Sequence, residues 1–236
     1  MITRFSTGNY VSFCDELIKR DAGLLQIVDQ YGYPPFWSRP PGFATLVHII
    51  LEQQVSLASA MAAYTRLLEK CGQVQPQTIL QLSDAELKSC YFSRQKIVYA
   101  RSLAEAFVTG RINPDDLDAR PDKAVRTILQ QVKGIGTWTT DIYLIFALHR
   151  ADVFPAGDLA VINACKQLKG LPIHTPRETM VQLAEAWQPY RSLAAFLLWH
   201  YYIKSRNIRI LPGMYSVGDD VSKREELPPL ESSSSL

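Results

Sequence analysis

Gly134-Ile135-Gly136 separates two helical stretches, one ending near Val132 and the other beginning near Thr137. Glycine reaches positive φ at low cost and lets a second backbone come close. The amides that open the second helix then point outward, where a phosphate can accept from them and meet the positive end of the helix dipole. Ile135 plugs such a turn into the core. The same spacing also suits an ordinary helical hairpin whose glycines serve the turn alone. Asp158, twenty residues beyond Trp138, stands at the candidate N-cap of a helix over Leu159 to Leu168. Capping is a sufficient role for an aspartate at that place. Metal chemistry has weaker support. Cys14, Cys71, Cys90 and Cys165 include no C-x-x-C pair, and His48, His149, His174 and His200 are equally scattered. Zinc and iron–sulfur ligation need closely spaced ligand pairs, so the cysteines read as free thiols of a reducing compartment.

Helical periodicity holds these residues in place. Phe43, Leu46, Val47, Ile50 and Leu51 form a clean i, i+3, i+4, i+7, i+8 stripe in Phe43 to Gln54. A second helix is expected over Val55 to Cys71, stopped by Gly72. Ser83-Asp84-Ala85-Glu86 reads as a capping box, and Thr175-Pro176-Arg177-Glu178 as another with proline at the first helical position. Helices are also expected over Ser93 to Val108, Pro121 to Val132 and about Tyr190 to Ser205, with Trp187-Gln188-Pro189 as a break. Sustained strand alternation is missing, so the fold class is all-α.

The chain has 236 residues, 47% of them hydrophobic and 20% charged, with a net charge of +2. That length builds a substantial core without disulfides or a structural metal. The net charge averages two unlike segments. Asp219 to Leu236 carries five acids against Lys223 and Arg224, which leaves +5 for residues 1–218. Between Ala186 and Gly218 there is no acid, while Arg191, Lys204, Arg206 and Arg209 lie there. A solvated helix end and a phosphate-facing patch fit this equally well. The N-terminus lacks the apolar core of a signal peptide, and no apolar run reaches the ~20 residues of a membrane span. Residues 217–236 end in a proline- and serine-rich run expected to be disordered.

The string from Leu129 to Thr140 (LQQVKGIGTWTT), followed by Val153-Phe154-Pro155-Ala156-Gly157-Asp158, resembles the helix-hairpin-helix DNA glycosylase superfamily, most closely its AlkA-type 3-methyladenine branch. Ile50 to Ser56, Phe92 to Lys96 and Trp187 to Ser192 resemble the same group in the same order. The resemblance covers roughly residues 40–205. It implies a two-lobed helical unit over residues 1–216, with the hairpin lobe at about 43–160 and the other lobe built from about 1–42 and 160–210. The N-terminal mixed α/β lobe of the prototype is expected to be missing.

For the site, the resemblance implies that Asp158 is catalytic, stabilising positive charge on the deoxyribose as the base departs. Trp138 and Trp199 would form a π-rich base pocket for cationic, alkylated purines, or else pack in the core. A pocket tyrosine of the family falls on Ile142, with Tyr143 one position away, and a further aromatic falls on Leu159. Members that also nick the strand carry a lysine where this chain has Trp138, so no lyase step is expected. Gln54 stands where the prototype inserts a leucine beside the flipped nucleotide, with Gln53 next to it; two solvated glutamines are the plain alternative. Lys133, Gly134, Ile135, Gly136 and Thr137 are the expected DNA contacts, and Arg191 either joins them or pairs internally. Backbone carbonyls of Gln130, Val132 and Ile135 match positions that hold Na+ or K+ in related hairpins. No other cofactor is implied. The expected partner is duplex DNA with damaged bases, bound by a monomer away from membranes, in bacterial cytoplasm or a eukaryotic nucleus. Other lesions (uracil, hypoxanthine, an oxidised purine), a non-catalytic module binding damaged DNA and a protein–protein adaptor are the alternatives.

Overall fold

The structure, a computed structural model, describes residues 3–210, 213 and 215–217. Among them, α1 (Tyr10–Ile18) and α2 (Ala22–Tyr31) precede a two-residue strand, β1 (Trp37–Ser38). Then come α3 (Phe43–Glu52), α4 (Leu57–Cys71), α5 (Pro76–Gln81), α6 (Asp84–Ser89), α7 (Arg94–Val108), α8 (Pro114–Ala119), α9 (Asp122–Leu129) and α10 (Thr137–Phe146). The chain continues through α11 (Leu159–Leu168), α12 (Arg177–Ala184), a 3-10 turn (Glu185–Trp187), α13 (Arg191–Ser205) and β2 (Ser216–Val217). The fold is all-α. The described residues before α3 form two helices and one short strand, not an α/β lobe.

Packing divides the helices into two groups. In one, α3 packs on α4, α7 and α10, α7 also carries α5 and α6, and α9 lies on α10. In the other, α13 packs on α11, α2 and α1, with α12 against α11. The two axial helices read as such from their burial. Every residue of α3 from Thr45 to Glu52 is buried, as is every residue of α13 from Ser192 to His200. Each fully buried leucine or isoleucine contributes about 1.5–3 kcal/mol. No helix among the described residues is long and apolar enough to cross a membrane.

Local signals account for most helix starts. Ser83 and Glu86 complete the capping box of α6, and Ser93 caps α7 through the Lys96 amide. The second helix starts later than its periodicity suggests, because Ser56 accepts from the Ser59 amide and so caps α4 at Leu57. The box expected at Thr175 does not form. The Thr175 hydroxyl donates instead to the Pro172 carbonyl at 2.7 Å, and Pro176 takes the N-cap without a side-chain bond. Pro121 likewise stands at the N-cap of α9 rather than inside it. The antiparallel pair Trp37↔Val217 and Ser38↔Ser216 was not foreseeable from alternation, being two residues long. It places Val217, the first residue of the expected tail, in a strand; residues 218–236 lie outside the described residues.

Candidate active site

Asp158 sits where α10, α11 and α13 converge. Its Oδ1 accepts from the amides of Ala160 and Val161, both at 3.0 Å, and from Trp199 Nε1 at 3.1 Å. Its Oδ2 accepts from Trp138 Nε1 at 3.0 Å. A carboxylate has about four lone-pair sites, so four donors fix it, and their distribution leaves the second oxygen an open lone pair. The side chain thus caps α11 and also presents a rigid, half-buried negative charge. Such a preorganised anion can stabilise positive charge that develops beside it.

The two indoles come from different helix groups, Trp138 from the first turn of α10 and Trp199 from the third turn of α13. Gly157 lets Trp138 close on the aspartate, because a Cβ there would lie 3.2 Å from Trp138 Cβ. Leu159 projects from the same turn and is 71% exposed. Phe146 backs the site, its ring 5.1 Å from that of Trp199.

Tyr143 does not join this cluster. Five residues beyond Trp138, at about 100° per residue, it is turned roughly 140° away on α10. It is fully buried, and its hydroxyl accepts from the Gly42 amide at 3.0 Å. Burial pushes its phenol up to about 12. Ile142 shares the Trp138 side of the helix instead.

The hairpin has the shape its glycines suggest, for different reasons at the two positions. Gly134 has φ +93°, and a Cβ on it would stand 2.0 Å from Cγ of Tyr99, whose ring covers it. Gly136 has an ordinary negative φ and nothing within 4 Å of a would-be Cβ. Its bareness keeps the start of α10 open. No side chain caps α10, so its first-turn amides are free to meet an anion. Lys133 and Thr137 flank this end and are exposed, while Ile135 is buried beneath it. Among the described residues, the carbonyls of Gln130 and Ile135 accept no hydrogen bond outside the helices and that of Val132 accepts only from the Ile135 amide.

Gln53 is half-buried and tied inward. Its Nε2 donates to the Gly134 carbonyl at 2.9 Å and to Thr139 Oγ1 at 3.0 Å, tying the end of α3 to the hairpin. Gln54, next in the chain, is exposed with φ +58°, a left-handed conformation that turns it out of the helix. Arg191 pairs internally, with Asp152 at 2.7 and 2.9 Å. Beneath the Gln53–Gln54 corner lies a charged cluster that spacing did not reveal. Arg39 binds Glu52 through both terminal nitrogens, at 3.0 and 2.6 Å, in a nearly dry setting. Lys96 donates to the Leu51 carbonyl at 2.6 Å. His48 stacks on Tyr64 with ring centroids 4.3 Å apart. Burial and the nearby Arg39 push its imidazole down to about 4, so it is neutral at physiological pH.

The sequence and the fold are both similar to those of known proteins. Residues 47–189 match the family model described as HhH-GPD superfamily base excision DNA repair protein. A DNA-3-methyladenine glycosylase 1 of Schizosaccharomyces pombe is 30% identical over 194 residues, which span 80% of this chain and 84% of that protein. Among solved structures, an S. pombe 3-methyladenine DNA glycosylase in complex with abasic DNA superimposes with TM-score 0.74 at 27% identity, over 87% of this chain and 99% of the other. A DNA-3-methyladenine glycosidase from Bacillus halodurans gives 0.69 at 29% identity, over 87% and 95% of the two chains.

Proposed function

The chain belongs to the HhH-GPD superfamily of base excision DNA repair proteins, and on that premise we propose that it is a monofunctional DNA glycosylase. Its substrates are alkylated purines, 3-methyladenine and 7-methylguanine, flipped out of duplex DNA. The observation that carries this reading is the Asp158 carboxylate, fixed by two amides and two indoles with one lone pair of Oδ2 open.

An alkylated purine already bears positive charge, so it departs with the electrons of the C1′–N bond as a neutral base and needs no acid. Positive charge then builds on the deoxyribose, where Asp158 stabilises it. Water adds its oxygen to C1′, and its proton passes to the carboxylate or to solvent. The indoles of Trp138 and Trp199 favour a cationic base over a neutral one. Trp138 occupies the place where a strand-nicking enzyme needs an amine, so the product is an abasic site. The open amides of α10, with Lys133 and Thr137, hold a backbone phosphate. Gln54 enters the gap left by the flipped nucleotide, offsetting part of the few kcal/mol that flipping costs. A cation on the carbonyls of Gln130, Val132 and Ile135 would add positive charge behind that phosphate.

The test is release of free bases from duplexes carrying 7-methylguanine, 3-methyladenine, hypoxanthine, uracil or an oxidised purine. Release of the two methylated purines, with no borohydride-trapped adduct, supports the proposal. Preferential release of another base moves the specificity, and a trapped adduct refutes the monofunctional assignment.

A further inference from the structure

The chain after α13 returns to the site. A Cβ on Gly213 would lie 3.3 Å from Cε of Met61 on α4. Ser216 and Val217 pair with β1. Between these two anchors, the Tyr215 ring lies 5.1 Å from Phe146 and 6.0 Å from Trp37. Phe146 is equally close to Trp199, whose indole donates to Asp158. Tyr215, Phe146 and Trp199 therefore form one aromatic run that ends at the carboxylate.

The ring is held firmly. The Arg39 guanidinium stands 4.6 Å from its centroid, and Glu52 neutralises that guanidinium. The phenol is raised by burial and lowered by Arg39, with the charges of Glu52 and Asp158 adding to the rise. It stays neutral and lies within the field of the candidate catalytic group. Ile142 and Leu159, which flank the indoles, are aliphatic. Without Tyr215 the π surface beside Asp158 would be two indoles backed by Phe146.

We propose that Tyr215 is a specificity-determining residue, a further π wall of the base pocket supplied by the segment after α13. The inference rests on the glycosylase reading and deepens it. A neutral, half-buried phenol ring that continues the π surface from Trp199 through Phe146 raises the preference for a cationic base over its neutral parent.

Quenching of indole fluorescence by 7-methylguanosine, a cation in mildly acidic buffer, and by neutral guanosine tests this in the full-length protein. Abasic-duplex affinity and the unfolding midpoint are measured beside it. Tyr215→Leu should weaken 7-methylguanosine about tenfold, the scale of one desolvated cation–π contact. Tyr215→Phe should stay near wild type, and abasic-duplex affinity should not move, because an abasic site places no base in the pocket. Unchanged 7-methylguanosine binding by Tyr215→Leu, or parallel loss of both nucleosides and the abasic duplex, overturns the proposal. Base release by the same wild-type sample separates the two readings. Tyr215-dependent binding without release refutes the glycosylase and leaves the pocket wall standing.

Discussion

Trp138 Nε1 donates to Asp158 Oδ2 at 3.0 Å, across twenty residues of chain and two helices. It is the sole donor to that oxygen among the described residues. Together with the three donors to Oδ1, this bond fixes the carboxylate and the direction of the remaining lone pair of Oδ2.

Trp138→Phe keeps an aromatic face and removes only the donor. A hydrogen bond to a charged group is worth about 1.5–3 kcal/mol, so single-turnover release of 7-methylguanine should slow by roughly ten- to a hundredfold. Affinity for an abasic duplex should be retained. A rate equal to wild type would mean that Asp158 is aligned without the indole.

Gly134→Ala should cost at least about 2 kcal/mol of stability, from a positive φ and a Cβ driven into the Tyr99 ring. Thermal or urea unfolding measures it. The cost should shrink, though not vanish, in a Tyr99→Ala background, because removing the ring relieves the clash and leaves the backbone strain.

His48 gives the protein an acid limb. Its folded-state value of about 4 lies below the unfolded 6.5. The unfolded chain therefore binds a proton that the folded chain refuses, and stability falls as pH drops from about 6.5 to 4. That difference amounts to roughly 3 kcal/mol at full development. His48→Phe keeps the stacking on Tyr64 and should flatten this part of the urea-midpoint profile against pH; an unchanged profile would assign the limb to other groups.

Helix class and most helix starts were legible because they are local. Ser83 and Glu86 are three residues apart and meet whenever a helix begins between them. The hairpin turn and the capping place of Asp158 were legible through order and spacing. What escaped is what only three-dimensional proximity decides. Gln53 looks like a surface glutamine until Gly134, eighty-one residues away, is folded against it. Tyr143 is one position beyond Ile142, the expected pocket position, and that single step of helical rotation sends it away from Trp138. Thr175 had both letters of a capping box, and a local turn to Pro172 took its hydroxyl first. Tyr215 lies in a stretch with no periodic signal, and the pairing of Ser216 and Val217 with β1 brings it beside Phe146. Gly157 did leave a trace, as a glycine immediately before a capping aspartate.

The central claim is that Asp158 performs the chemistry on a base extruded from DNA. Its most direct measurement is release of 3-methyladenine and 7-methylguanine from methylated duplex by wild type and by Asp158→Asn. Asparagine caps a helix as well as aspartate does, so the fold should persist. The wild type should release both bases, and the variant should be slower by about a hundredfold or more while binding an abasic duplex with near wild-type affinity. Comparable turnover by Asp158→Asn, or no release by the wild type, would contradict the account.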